Sequence, residues 1–88
     1  IIDEIEIPNV FSPNGDNQND VFYINGLFPS SSLVIFNRWG NIVFQSNDYQ
    51  NDWNGKDKQG KELNEGVYSY VFIDHKNLKY QGFVHLFR

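Results

Sequence analysis

Alternation at every second residue is the pattern that most limits what this chain can fold into. Between Val67 and Asp74, residues Val67, Val71 and Ile73 fall on one side, and Tyr68, Tyr70 and Phe72 on the other. A side-chain period of two belongs to a strand, because successive Cβ atoms point to opposite faces of the pleat. The same period runs through Leu33–Arg38, where Leu33, Ile35 and Asn37 oppose Val34, Phe36 and Arg38. It recurs in Asp20–Ile24, with Phe22 and Ile24 against Val21 and Tyr23, and in Lys79–Phe87, with Phe83 and Phe87 against Val84 and Leu86. Asp3–Ile7 and Asn41–Gln45 read as two further strands. Helical spacing is almost absent.

Turn signals punctuate these runs. Pro8 stops the first strand or confines it to a sheet edge, because proline has no N–H to give a ladder. Gly40-Asn41 lies between two strand-like runs and predicts a tight hairpin. Lys76-Asn77 turns the chain before the last strand. Residues 46–66 are mostly polar and glycine-bearing, with Trp53 the one tryptophan among them. A connection of that length in a compact domain is functional or anchored. A lone indole in it is expected to plug the core and pin the loop; the competing reading is a partner-binding aromatic. Together the runs predict an all-β chain, a small antiparallel immunoglobulin-like β-sandwich of about seven strands. Residues 1–88 form a single domain, with 1–7 as linker or first strand.

Charge and composition exclude several functions. The net charge is −4, and the seven lysines and arginines are scattered, so no basic stripe is available for nucleic acid. No apolar run approaches the ~20 residues of a membrane span. There is no cysteine, hence no disulfide and no thiolate metal site. His75 and His85 lack the companions of a zinc site. Asp48, Asp52, Asp57, Glu62 and Glu65 sit in a hydrophilic loop, which argues for solvation rather than paired-carboxylate chemistry. No serine has a base and orienter nearby, and no nucleophile-elbow motif occurs. These features predict no enzyme.

The segment Phe11–Gly26 carries the most local information. Asn14, Asp16, Gln18 and Asp20 place side-chain oxygens at alternate positions, and Gly15 allows a sharp bend. Calcium takes about six to eight oxygen ligands, so these four with Asp52 from the long loop form a candidate Ca2+ set. The alternative is a pair of Asx-turns with no ion. No cofactor is required for either reading.

One combination of motifs is more specific. Pro8-Asn9-Val10-Phe11-Ser12-Pro13-Asn14-Gly15-Asp16 precedes Asn19-Asp20-Val21-Phe22. Ile35-Phe36-Asn37-Arg38-Trp39-Gly40, Trp53-Asn54-Gly55-Lys56, Gly66-Val67-Tyr68-Ser69-Tyr70 and Gly82-Phe83-Val84-His85-Leu86-Phe87-Arg88 follow. From Pro8 to Arg88 the chain resembles the gliding-motility-associated C-terminal domain of Bacteroidetes, the type B signal of the type IX secretion system. It departs at Asn54, where the family usually has aspartate, and at Asn17, where glycine is frequent.

The resemblance implies a folded signal on a secreted or adhesin cargo. It implies passage across the outer membrane, by way of the periplasm, to the cell surface or beyond. It also implies recognition by type IX translocon components and by a PorP/SprF-like outer-membrane β-barrel. Candidate contacts are Arg38 and Trp39 at the hairpin, and the last strand, Gly82, Phe83, Val84, His85, Leu86, Phe87 and Arg88, read as an exposed sheet edge. The rival reading is a calcium-supported carbohydrate-binding or adhesive module with Tyr23, Trp39, Tyr49 and Tyr80 as a stacking platform. A structural spacer in a repeat array is the third.

Overall fold

The computed structural model of the chain describes residues 5–12 and 21–87. Five strands are formed among them: β1 (Val10–Phe11), β2 (Ser32–Phe36), β3 (Ile42–Ser46), β4 (Gly66–Ile73) and β5 (Lys79–Leu86). They make one sheet in the order β1-β5-β4-β2-β3. Three neighbouring pairs are antiparallel, and β1 runs parallel to β5, with Val10 beside His85 and Phe11 beside Leu86. The described residues contain no helix.

The all-β expectation holds, but the sheet is mixed, and five strands are formed among the described residues where about seven were expected. Two of the expected strands form no ladder in their described residues, 5–7 and 21–24; Asp3, Glu4 and Asp20 lie outside the described residues. In the first, Glu6 makes only an isolated bridge to Asn25, and Pro8 cannot donate beyond it. In the second, the main chain is fastened to the long loop instead of to a neighbouring strand. The Phe22 N–H donates to the Trp53 carbonyl at 2.9 Å, and the Ile24 N–H donates to the Asn51 side-chain oxygen at 2.9 Å.

That fastening creates the second layer of the core. One side is the inner face of the sheet, with Leu33 and Ile35 from β2, Phe72 from β4, and Val84 and Leu86 from β5. The other side is Phe22, Ile24, Tyr49 and Trp53 from irregular chain. Burying side chains of this size contributes about 1.5–3 kcal/mol each. Trp53 is the hub: it is 1% exposed, and the rings of Phe11, Phe22, Phe44 and Tyr68 surround it at centroid distances of 5.0, 6.0, 5.9 and 6.3 Å. Its Nε1–H donates to the Lys56 carbonyl at 2.9 Å, so the indole plugs the core and ties down the loop that carries it. The reading of Trp53 as a partner-binding aromatic is therefore set aside.

One turn design occurs three times. Asn37 Oδ1 accepts the N–H groups of Trp39 and Asn41, each at 3.0 Å. Asp57 Oδ1 accepts those of Gln59 and Lys61, and Asp74 Oδ1 those of Lys76 and Leu78, all at 2.9 Å. In each turn the residue three positions on is left-handed: Gly40 (φ 83°), Gly60 (φ 84°) and Asn77 (φ 67°). This is the three-residue hairpin loop, closed by an Asx side chain that holds its amides. Two of its instances make the β2–β3 and β4–β5 hairpins. The third anchors the bridge between Lys56 and Glu62 in the long loop.

Candidate recognition surface

The sheet is apolar on both faces, and only the inner one is covered among the described residues. Paired residues share a face, so the register defines the outer one. Phe83 lies opposite Ser69, Ser69 opposite Phe36, and Phe36 opposite Ile42, giving one row across four strands. A second row joins Gln81, Val71, Val34 and Gln45. A third joins Val67, His85 and Val10. Phe83 is 70% exposed and Val67 51%. Ser69 is small, so a shallow depression opens between Phe36 and Phe83, floored by Ser69 and Val71 and continued by Gln81.

A second depression adjoins it and carries the surface to the hairpin tip. It is lined by Asn37, Arg38, Gly40, Val67, Ser69 and Phe83. The Asn37 side chain orders this tip, and Gly40 supplies the positive φ that a bulkier residue resists. Trp39 stands outward, 73% exposed, with the Arg38 guanidinium carbon 4.7 Å from its ring centroid. The expected candidates Arg38, Trp39 and Phe83 therefore belong to one continuous outer surface. His85 and Phe87 stack at 4.0 Å beside it, over the β1 end of the sheet.

Other expected contacts are placed differently. Val84 and Leu86 are fully buried and point into the core, and Gly82 lies under the Tyr70 ring on the inner face. Burial also raises the Tyr70 phenol above its usual range. The last strand is not an edge along its whole length, because β1 covers its His85–Leu86 end. Arg88 falls outside the described residues.

Of the candidate calcium ligands, Asn14, Asp16, Gln18 and Asp20 also fall outside the described residues, while Asp52 is exposed on the long loop. Among the described residues no cluster of three or more histidines, aspartates or glutamates could hold a metal. Two of the loop carboxylates hold main-chain amides: Asp48 accepts the Ser30 N–H at 3.0 Å, tying the long loop to the segment before β2, and Asp57 holds the turn amides described above.

The aromatic platform of the rival reading is dispersed. Tyr23 and Trp39 are exposed, but Tyr49 is buried and its hydroxyl donates to the Phe22 carbonyl at 2.6 Å. Burial pushes that phenol far above its usual range, with the Trp53 N–H opposing the shift and the Asp52 charge adding to it. Tyr80 packs on Phe72 at 5.9 Å, and its hydroxyl donates to Asp74 at 3.2 Å. Among the described residues no helix is long and apolar enough to cross a membrane.

The hollow over Ser69 had no counterpart in the sequence reading. Alternation assigns Ser69 to a face, but only the strand register puts it between two phenylalanines. Its sole sequence trace is a small polar residue within the aromatic run Tyr68–Phe72.

Comparison with known proteins agrees with this architecture. The chain is similar to a solved structure of PorZ, described as an essential bacterial surface component of the type-IX secretion system of Porphyromonas gingivalis. The TM-score is 0.65 at 22% identity, and the match covers 97% of this chain and 11% of that one. That likeness speaks to the fold. No curated protein matches the chain. A family model described as the CHU_C type IX secretion signal domain matches residues 5–86. With that match over almost the whole chain, the protein belongs to the CHU_C type IX secretion signal domain family.

Proposed function

We propose that this chain is a non-catalytic signal domain that directs an attached cargo across the outer membrane through the type IX system, to the cell surface or the medium. In this reading it is an immunoglobulin-like sandwich whose second layer is irregular chain around Trp53. Its working part is a folded surface read by translocon components and a PorP/SprF-like outer-membrane barrel. The observation that carries the reading is the uncovered outer face, where Phe83 and Trp39 stay 70% and 73% exposed in a domain that buries Trp53, Phe22 and Phe72 almost completely. Large aromatics and arginine held at a surface are the residues that dominate protein interfaces.

The test is export of a fusion. Residues 1–88 are joined to the C-terminus of a periplasm-directed fluorescent protein in a bacterium with a type IX system, with and without its PorP/SprF-like barrel. The expected result is reporter outside the cell only when the barrel is present, and a several-fold loss with Phe83→Ser. Folded reporter retained in the periplasm of both strains would sink the reading.

A further inference from the structure

We propose that the stretch of β5 from Gln81 to Phe83 is a strand-addition edge that takes an extended, acid-bearing segment of a protein partner; this rests on the reading of the domain as a recognised signal. The register decides which main-chain groups face outward. The His85 N–H donates to the Asn9 carbonyl at 2.8 Å and the Phe87 N–H to the Phe11 carbonyl at 2.9 Å, both away from β4. N–H and C=O of one strand residue point to the same side, and alternate residues point to opposite sides. Gln81 and Phe83 therefore also direct their main-chain groups away from β4.

Among the described residues nothing pairs with them there. β1 contributes only Val10 and Phe11, beside His85 and Leu86. Asn9 and Phe11 turn their main-chain groups to β5, so Ile7 is the next residue that could face Phe83, and Glu6 beside it has already diverged to bridge Asn25. Among the described residues β5 is thus covered at its C-terminal end and open over its middle.

The chemistry of the opening selects the occupant. A row of main-chain donors and acceptors is matched by another extended main chain. Its specificity would come from the outer-face side chains at the same positions. Phe83 overhangs the hollow at Ser69 and offers an apolar seat. Arg38 borders the adjoining depression, and Lys79 precedes Gln81 on the same face of β5. Arg38 at the rim of the depression that Phe83 shares, and Lys79 on the outer face of β5 four residues before Phe83, favour a segment that carries carboxylates on either side of an apolar residue.

Binding of the 88-residue chain to outer-membrane fragments tests this, using fragments from a bacterium with a type IX system and from the same bacterium lacking it. Gln81→Pro removes an outward donor and leaves the β4 ladder intact, since that N–H takes no part in it. The expected result is sedimentation with the type IX fragments alone and at least a ten-fold loss for Gln81→Pro at unchanged melting temperature. Quenched hydrogen exchange should show the Gln81 and Phe83 amides slowed at least ten-fold by the fragments, with Gly82 unchanged. Should Gln81→Pro melt early, exchange in the unmodified chain decides alone. Sedimentation with no slowing at Gln81 and Phe83 would overturn the edge and leave the recognition reading standing. No sedimentation with either preparation would count against recognition itself and remove the edge with it.

Discussion

Gly82 lies directly across the β4–β5 ladder from Tyr70, and the Tyr70 ring occupies the space that a side chain at 82 would need. A Cβ there would stand 2.8 Å from the Tyr70 hydroxyl oxygen and 3.0 Å from its Cζ. The ring is also set against Phe22, at 5.7 Å, so it cannot move aside freely. Gly82→Ala is expected to lower stability by about 1–2 kcal/mol, the range of a modest overpacking strain. Tyr70→Phe removes the nearest atom, so the double variant should be less destabilised than the sum of the singles. Urea unfolding of the four proteins measures the coupling.

Trp53 joins more of the core than any other side chain described above. Trp53→Ala should cost about 3–5 kcal/mol, the usual penalty for a buried aromatic truncated to methyl. Set against a total of about 5–15 kcal/mol for a typical domain, that leaves little or no folded population. Trp53→Phe keeps a ring but orphans the Lys56 carbonyl, and should cost less. With Trp39→Phe as background, the fluorescence of the remaining buried indole reports unfolding directly.

Tyr49 provides a two-way hydrogen bond at the centre of the second layer. Its hydroxyl donates to the Phe22 carbonyl at 2.6 Å and accepts the Trp53 N–H at 3.1 Å. Tyr49→Phe leaves both main-chain groups buried without that partner, which should cost about 1–3 kcal/mol. Thermal and urea melts of the variant check this.

Asp74 makes the acid limb of stability partly its own. Its desolvation raises its pKa, but the Leu78 and Lys76 amides, the Tyr80 hydroxyl and the nearby His75 lower it, and the net position is below the usual carboxylate value. The unfolded chain therefore binds this proton at higher pH than the folded chain does. The stabilisation is complete above the unfolded value of about 4 and is lost as pH falls through the folded one. Asp74→Asn can still accept both amides but no longer titrates. Its melting temperature should fall less steeply than that of the parent between about pH 5 and pH 2.

Arg38, Trp39 and Phe83 should behave in the opposite way to the core. Each is exposed, so Arg38→Ala, Trp39→Ala and Phe83→Ser should change stability by no more than about 0.5 kcal/mol. Export of the fluorescent fusion should nevertheless fall several-fold. Equal export with unchanged melting would count against the outer face as the recognition surface.

Alternation was enough to find the two hairpins. It set Tyr68 and Phe72 on one face of their strand and Phe83 opposite Val84 on the next, leaving to the structure which face is inner, and the lone indole in a polar loop is the plug it was expected to be. It failed where pairing is not local. Nothing in Val10-Phe11 indicates a parallel partner more than seventy residues later, and the run Asp20–Ile24 has the pattern of a ladder strand without a ladder. There the main chain is satisfied by Asn51 and Trp53, and a side-chain acceptor leaves no periodic trace. The recurring Asx loops were legible in principle, since Asn37 with Gly40, Asp57 with Gly60 and Asp74 with Asn77 share one spacing. The surface joining Phe83 to Arg38 was not, because it depends on which residue of β4 sits between them.

The position of β5 between β1 and β4 also sets a timetable. On a ribosome, everything up to Ile73 can be made and β2, β3 and β4 can associate, yet Phe11 still lacks Val84 and Leu86 against which to bury. Among the described residues the first strand waits for the last, and the loop closed between Val10 and His85 is longer than seventy residues. A chain cut or stalled before β5 would thus present an open sheet and an uncovered aromatic hub, a form that proteases and chaperones can distinguish from the folded one.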